Sequence, residues 1–240
     1  MGALELQSTG VAGLDRLIGG VPRGSRNLLY GPPGTGKTVF AMQFLWTGLQ
    51  NGETVAYDVF DRPWEHMRRY FESFGWAVRP FEERGRLLPI QAFEHFDPYP
   101  RDPAVEYFSL DDFETMRAID RRLSAAGVTR FVAGDNTEHV FETLSEERWR
   151  EVETWTVNWA FFDGVTNFDL MSEAADGSPR VRRMIDLTFG LAHNVFRFRV
   201  AERGGRLRRE LRIEKMEGLA HPLDWLPFEI GPEGVRLLDA

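Results

Sequence analysis

One octapeptide constrains this 240-residue chain more than any other feature. Residues 31–38 read Gly-Pro-Pro-Gly-Thr-Gly-Lys-Thr, the G-x-x-x-x-G-K-[ST] pattern of a phosphate-binding loop. Its glycines let the backbone turn so that successive N–H groups face one anion. In such a loop the lysine reaches the terminal phosphates and the threonine hydroxyl ligates Mg²⁺. The pattern therefore predicts that the chain binds a nucleoside triphosphate together with Mg²⁺.

The surroundings of this loop strengthen the prediction. Asn27–Tyr30 is typical of a short buried strand, and the apolar run from Thr38 onward is typical of a buried helix, whose N-terminus favours an anion. The predicted nucleotide-binding residues are Gly31, Pro32, Pro33, Gly34, Thr35, Gly36, Lys37, Thr38 and Val39.

Composition narrows the class of protein. With 240 residues and 42% hydrophobic content, we expect one domain spanning residues 1–240. The absence of cysteine excludes disulfides, thiolate catalysis and cysteine metal sites, and it fits a cytoplasmic protein. No stretch approaches the roughly 20 apolar residues of a membrane span, so no membrane partner is expected. The net charge of −8 weighs against a protein devoted to nucleic acid.

The rest of the chain alternates strands and helices, which predicts an α/β fold: a mainly parallel sheet with helices on both faces. Predicted strands are Thr54–Phe60, Leu87–Ile90, Val128–Ala133 and Thr156–Phe162. Predicted helices are Pro63–Phe74, a segment capped by Ser109 and ending at Gly127, and Glu146–Glu153. Residues 94–109 and 163–180 are predicted loops. Two antiparallel hairpins follow, Phe196–Val200 with Leu207–Ile213 around Gly204-Gly205, and Phe228–Ile230 with Val235–Leu238.

A carboxylate at the end of a second buried strand completes a metal site in phosphate-loop enzymes. Asp135 follows the apolar strand Val128–Ala133 and is the predicted second metal residue beside Thr38. The alternative is that Asp135 only caps a turn. The five histidines show no metal-ligand spacing, so a histidine metal cluster is not expected.

Segments on both sides of the phosphate loop resemble those of a known family. The leader Ser8-Thr9-Gly10, Gly13–Gly20 and Pro22-Arg23-Gly24 resembles the segment before the phosphate loop in RecA/RadA-type ATPases. Phe44-Leu45, Gly48, Phe60, Ser73–Trp76 and Glu214–Gly218 are similar to the KaiC-like branch of that superfamily. The resemblance covers nearly the whole chain. It implies a RecA-like fold, ATPase activity and assembly into a ring or dimer.

The chain departs from this family at two positions that matter for hydrolysis. KaiC-like ATPases carry two glutamates after the second strand, the first of which activates water; here Asp61-Arg62 follows Phe60. Asp61 is the candidate base, on a side chain one methylene shorter. In hexameric relatives a Lys-x-Arg near the C-terminus reaches a neighbour's phosphates. Lys215 matches its lysine, but Glu217 replaces its arginine, so the resemblance implies nucleotide binding with slow hydrolysis.

Three features leave alternatives open. Lys37 and Lys215 are the only lysines among 29 basic residues, and Lys215 is either functional or an incidental surface residue. The predicted arginine-rich hairpin, residues 197–212, is either a patch for nucleic acid or an acidic neighbour, or a solvated face. The aromatic residues Trp149, Trp155, Trp159, Phe161 and Phe162 are either a partner surface or, as favoured here, core.

We therefore predict an ATP·Mg²⁺-binding, KaiC-like slow ATPase or nucleotide-dependent switch, oligomeric, with an unidentified protein partner. Its catalytic residues are Lys37, Asp61 and Lys215. One alternative is a non-hydrolysing regulator or assembly module. Another is a RadA-like recombination accessory protein that binds single-stranded DNA.

Overall fold

A computed structural model of the chain describes residues 4–60, 62–92, 101–108, 112–134, 144–173 and 178–238. The strands are β1 Leu6–Gln7, β2 Val21–Pro22, β3 Arg26–Gly31, β4 Thr54–Val59, β5 Leu87–Ala92, β6 Glu106–Phe108, β7 Val128–Ala133, β8 Thr166–Ser172, β9 Asn194–Arg203, β10 Arg206–Met216, β11 Leu226–Gly231 and β12 Gly234–Leu237. The helices are α1 Ala12–Ile18, α2 Lys37–Gln50, α3 Trp64–Ser73, α4 Arg79–Glu83, α5 Phe113–Ala125, α6 Glu146–Asp163 and α7 Pro179–Leu191.

Ten of these strands form one sheet in the described part of the chain, in the order β12-β11-β10-β9-β3-β8-β7-β4-β5-β6. The pairs from β9 to β6 are parallel, and those from β12 to β9 are antiparallel. The predicted parallel sheet with antiparallel C-terminal strands is confirmed. The strand before the phosphate loop, β3, lies in the middle of this sheet, where β8 and β9 fix it from both sides.

Helices cover both faces of the sheet, as the sequence predicts. Side chains alternate between the faces of a strand, and β3 shows the consequence. Leu29 packs in the cluster that includes the apolar residues of α2, whereas Leu28 and Tyr30 pack on the opposite face in a cluster with residues of α6 and α7. A central strand with two buried faces holds the loop that follows it in a fixed place.

The predicted strand Thr156–Phe162 is wrong. These residues belong to α6, an 18-residue helix that begins after the cap Ser145 and ends at Gly164, which has a φ of 70°. The buried residues Trp149, Glu153 and Ala160 recur at helical spacing. A charged residue in the middle of the buried stripe obscured this period, while the aromatic and β-branched residues imitated a strand.

The predicted loop over residues 163–180 is also wrong in part, because residues 166–172 form the central strand β8. Its alternating polar residues, Asn167 and Asp169, hide its burial in the sequence. Asn167 is fully buried, and Asp169 pairs with Arg26 of the neighbouring strand. In the predicted loop over residues 94–109, residues 106–108 form the edge strand β6.

Two smaller predictions also need correction. Asp112, not Ser109, caps α5, since its side chain accepts a hydrogen bond from the Thr115 N–H; Ser109 lies outside the described residues. The aromatic group is divided between core and surface. Trp149 and Trp159 are buried, but Phe161 and Phe162 are 66% and 76% exposed and contact each other edge to face. No helix in the described ranges combines the length and apolar character that crossing a membrane requires.

Candidate functional site

The loop of residues 31–38 leaves the carboxyl end of β3 and enters α2, as the sequence predicts. Gly31, Gly34 and Gly36 have φ angles of 150°, 77° and 108°, a region that L side chains rarely adopt. The first helical residue is Lys37, and the residue before it, Gly36, supplies no side-chain cap. The N–H groups of the first turn therefore point out of the helix without a capping side chain, which suits an anion.

Lys37 lies inside this loop. Its ammonium Nζ donates to the backbone oxygens of Gly31 at 2.6 Å and Pro32 at 3.2 Å, and its exposed fraction is 5%. The sequence predicts the contact of Lys37 with phosphate but not its burial. Its charge is held at the mouth of the loop by carbonyl oxygens. An entering phosphate competes with these acceptors.

A residue that sequence reasoning missed joins this group. Ser172 ends β8 and lies directly beside Gly31 in the parallel register. Its Oγ lies 3.4 Å from the Nζ of Lys37. The only signal available in the sequence was a hydroxyl at the end of a strand, and that strand itself was not recognised.

The first two glycines of the loop differ in what surrounds them, which gives a stability prediction. A Cβ on Gly31 would clash with the Phe198 backbone oxygen, whereas a Cβ on Gly34 would meet no atom of the described residues within 4 Å. We expect Gly34→Ala to lower the free energy of unfolding by about 1 kcal/mol, the cost of a left-handed residue. Gly31→Ala should lower it by roughly 3 kcal/mol, because the strain is added to a backbone clash. Urea unfolding of both variants measures this, and equal losses would contradict the close approach of β9.

The two predicted acidic site residues, Asp61 and Asp135, lie outside the described residues. The structure does describe the strands that precede them. The N–H of Gly134, next to Asp135, donates to the backbone oxygen of Asp58 at 2.8 Å, so β4 and β7 end side by side. Because β4, β7 and β3 run in the same direction, β4 and β7 end at the edge of the sheet where the phosphate loop begins.

Lys215 occupies the other end of the sheet. It lies beside Val195 of β9, which in turn lies beside Leu28 of β3. Lys215 is two strands away from β3 and level with Leu28, three residues before Gly31. Its backbone is therefore separated from Gly31 by roughly 10 Å across the strands and by roughly 10 Å along them. The Nζ of Lys215 donates to the backbone oxygen of Ala192 at 2.5 Å, and Ala192 directly follows α7. Lys215 is therefore not part of the phosphate loop of its own chain.

Glu217, at the position of the family's arginine, lies next to Lys215. The two side chains form an ion pair of 3.0 Å, and both are partly exposed. The Glu217 N–H donates to the side-chain oxygen of Asn194 at 3.1 Å, which fixes its backbone. The pair presents a neutralised lysine at the surface.

A buried ion pair joins β3 to the helix α6, which packs against one face of the sheet. The Arg26 guanidinium donates two hydrogen bonds to Glu153 of α6, at 2.6 and 2.7 Å, and also contacts Asp169 of β8. Arg26 and Glu153 are both almost fully buried. Burial disfavours the charged arginine, but Asp169 and Glu153 outweigh it and raise the Arg26 pKa above its usual value. These bonds join α6 and β8 to the strand that carries the loop.

The leader before the loop also has a structural explanation. The Asp15 carboxylate accepts hydrogen bonds from Ser8 Oγ at 2.6 Å and from the Thr9 N–H at 2.8 Å. Gln43 of α2 donates to the Gly10 backbone oxygen at 2.7 Å and accepts from the Val235 N–H at 2.6 Å. The leader and the C-terminal hairpin are thus both anchored to the helix that follows the phosphate loop.

A cavity of about 90 Å³ lies on the face that α5 and α6 cover, and no residue of the phosphate loop lines it. Burial raises the pKa of Asp120 in its wall to about 7, although the Trp155 indole donates to that carboxylate at 2.7 Å. The side-chain amide of Asn167, also in the wall, has no hydrogen-bond partner in the described part of the chain. The cavity and the loop are separate features.

Comparison with known proteins agrees with this arrangement. A family model described as the ATPase KaiC matches residues 7–240. The chain belongs to the KaiC family of ATPases. Family membership supports a nucleotide-binding ATPase, and the loop at residues 31–38 is the part of the structure that fits a nucleotide phosphate.

Individual relatives of this family extend over nearly the whole chain. A UPF0273 protein of Methanopyrus kandleri is 30% identical over 98% of this chain and 92% of its own length. A UPF0273 protein of Thermotoga maritima is 28% identical over 95% of this chain and 93% of its own length. The circadian clock protein KaiC3 of Synechocystis is 28% identical over 95% of this chain, which corresponds to 44% of KaiC3.

A solved structure confirms the predicted RecA-like fold of the family. The crystal structure of a KaiC-like protein from Pyrococcus horikoshii superposes with a TM-score of 0.78 at 26% identity. The superposition covers 99% of this chain and 100% of that one. The predicted resemblance to the KaiC-like branch is therefore confirmed.

Proposed function

We propose that this chain binds ATP with Mg²⁺ at residues 31–38 and acts as a slow ATPase or a nucleotide-dependent regulatory switch. The observation that carries the proposal is the loop itself: three glycines with positive φ, an uncapped helix N-terminus and the inward-facing ammonium of Lys37. All three present positive charge or N–H donors to one small volume. This is the chemistry that holds the phosphates of a nucleotide.

In this proposal the loop residues divide the work. Gly31, Gly34 and Gly36 allow the backbone to surround the phosphates, and Lys37 pairs with the terminal ones. Thr38 supplies one Mg²⁺ ligand, and Asp135, which follows β7 in the sequence, supplies the carboxylate that holds the metal. Bound Mg²⁺ would neutralise phosphate charge. Asp61 is the proposed base, and its short side chain is one reason to expect slow turnover.

We further propose that the site is completed between subunits of an oligomer. Members of the KaiC family are oligomeric. The position of Lys215 supports a role of this kind, since it lies far from the loop of its own chain but is partly exposed and can face another. A single-domain, cytoplasmic protein that meets a further protein partner fits the same proposal, and the absence of cysteine is compatible with it.

Steady-state turnover tests the proposed activity. We expect the wild-type protein to hydrolyse ATP at less than about 1 s⁻¹, where kinases reach 1–100 s⁻¹. Glu217→Arg should raise this rate several-fold, because a positive charge there would stabilise the negative charge of the transition state of a neighbour. Glu229→Arg is a matched control on the exposed surface of β11. Sedimentation with ATP·Mg²⁺ must show the assembled form in each sample.

Three outcomes separate the candidate functions. Wild-type turnover on the order of 10 s⁻¹ would mean that the catalytic residues are misplaced. Binding without any turnover would favour the non-hydrolysing regulator. The Lys215–Glu217 ion pair supports this alternative, because it neutralises the charge of Lys215. Stimulation by single-stranded DNA would favour the RadA-like accessory protein, against which the net charge of −8 weighs.

A further inference from the structure

The hairpin of β9 and β10 concentrates positive charge within an acidic chain. Residues 194–216 contain seven arginines and one lysine against three glutamates, a net charge of +5 in a chain whose total is −8. Charge asymmetry of this kind indicates contact with an anionic partner. The turn at Gly204 and Gly205 that the sequence predicts is present, and it closes the hairpin.

The strand register sorts these charges onto one side. Arg206 lies opposite Arg203, and Arg212 lies opposite Arg197. Because side chains of a strand alternate between its two faces, six arginines share one side of the hairpin, which we name the basic face. Its arginines are Arg197, Arg199, Arg203, Arg206, Arg208 and Arg212.

Glutamates neutralise four of the six arginines of the basic face. Glu210 pairs with Arg199 and Arg203, and Glu214 pairs with Arg197 and Arg212. Burial opposes ionisation of Glu210, but the hydrogen bonds from Arg203 and Arg199 lower its pKa, so it stays charged.

At the tip the charge is not balanced. Across the described ranges of the chain, Arg206 and Arg208 form no ion pair with an acidic residue, and both are exposed. Arg206 also lies directly opposite Arg203. Like charges in such a cross-strand pair destabilise a sheet. Neither Arg206 nor Arg208 has an acidic partner among the described residues, and this leaves both guanidinium groups available to an anion outside the chain.

The tip also stands clear of the sheet. Pairing between β9 and β3 ends at Arg197, beside Tyr30, and pairing between β10 and β11 begins at Arg209. The strands continue to Arg203 and Arg206, so the tip reaches about 15 Å beyond the end of β3 at Gly31. Its basic face is open to a large, extended partner.

The chemistry of the basic face favours nucleic acid over protein as that partner. Protein interfaces have an apolar centre, whereas interfaces with nucleic acid are more polar and more positive. The exposed apolar residues of the tip, Val200 and Leu207, lie on the opposite side. Trp225 is already covered by the Arg199 guanidinium, 3.6 Å from its ring centre, so it does not offer a free ring for base stacking.

We propose that the basic face binds the phosphate backbone of a nucleic acid without sequence preference. Arg206 and Arg208 contact the phosphates, since a guanidinium can donate two parallel hydrogen bonds to one phosphate group. Binding does not require ATP, so this proposal stands or fails independently of the proposed ATPase.

Fluorescence anisotropy of a labelled 30-nucleotide mixed-sequence DNA, single-stranded and as a duplex, tests the proposal at roughly 50 mM salt without ATP. We expect wild-type binding to both forms, with log affinity falling against log salt at a slope of about −1.4 for a single strand, the value for two phosphate contacts. Arg206→Glu with Arg208→Glu should weaken binding at least about tenfold and flatten that slope. The melting temperature of this double variant should be unchanged or higher than that of the wild type, because the repulsion between Arg203 and Arg206 is removed.

The control is Arg84→Glu with Arg121→Glu, the same charge change on two exposed residues away from the hairpin. Arg84 directly follows α4, and Arg121 lies on α5. It should weaken binding less than about threefold. No wild-type binding, or equal weakening by both double variants, would overturn the proposal. So would sedimentation showing that Arg206 and Arg208 hold two copies of this chain together, since the basic face would then be a protein interface.

Discussion

Replacing Lys37 with methionine is expected to weaken ATP·Mg²⁺ binding by at least about tenfold, while the fold survives. A hydrogen bond to a charged group contributes about 1.5–3 kcal/mol, and about 1.4 kcal/mol corresponds to tenfold in affinity. Methionine retains an unbranched side chain that can fill the buried path of Lys37 but removes the charge. The Gly31 and Pro32 carbonyl oxygens that Lys37 contacts would lose a donor.

Isothermal titration calorimetry measures the affinity, and circular dichroism with thermal melting checks the fold. Arg84→Met is the matched control, because it replaces an exposed, positively charged side chain directly after α4 with methionine. It should leave the affinity for ATP unchanged. If Lys37→Met and wild type bound ATP·Mg²⁺ equally, residues 31–38 would not be the phosphate site, and the proposed function would lose its basis.

Replacing Glu153 with alanine is expected to lower the free energy of unfolding by about 3–5 kcal/mol. Removing one partner of a buried ion pair leaves the other charge uncompensated in a medium that solvates it poorly. Arg26 would retain Asp169 but lose the two bonds that Glu153 accepts. In a domain of this size the loss corresponds to a fall in melting temperature of roughly 6–20 °C.

Glu151→Ala on the same helix is the control for this loss. Glu151 is exposed and pairs with Arg148 on the surface, so its removal should cost less than about 1 kcal/mol. Urea unfolding followed by circular dichroism compares the two variants. A loss below about 1 kcal/mol for Glu153→Ala would show that the Arg26 charge finds another partner and that α6 does not support β3 through this pair.

Lys37→Met and Glu153→Ala separate an effect on ATP binding from an effect on folding stability. Lys37→Met removes a charge that faces the proposed phosphate site and retains the shape of the side chain, so binding falls and the fold remains. Glu153→Ala changes a group below the site, so the fold weakens first. If ATP·Mg²⁺ binds at the loop, it should recover part of the lost stability of Glu153→Ala, because a ligand of the folded state shifts the unfolding equilibrium. Thermal melting with and without ATP·Mg²⁺ measures this recovery.

Local patterns in the sequence were sufficient for the loop and for the hairpins. The conformation of residues 31–38 depends on glycines within the loop itself, and the turn of β9 and β10 depends on Gly204 and Gly205. The leader residues Ser8, Thr9 and Asp15 also satisfy one another within eight positions of the chain. Where the interacting groups are neighbours in the sequence, their pattern determines the structure.

Only the tertiary structure decided the features in which a charged or polar residue is buried. Glu153 interrupts the apolar stripe of α6, and Asp169 interrupts the apolar run of β8; both are inside because Arg26 reaches them from β3, more than a hundred residues away. Burying a charge is unfavourable unless a partner compensates it, and no pattern within one element reveals a partner on another. For the same reason the sequence showed seven arginines in residues 197–212 but not that Glu210 and Glu214 neutralise some of them and leave Arg206 and Arg208 exposed.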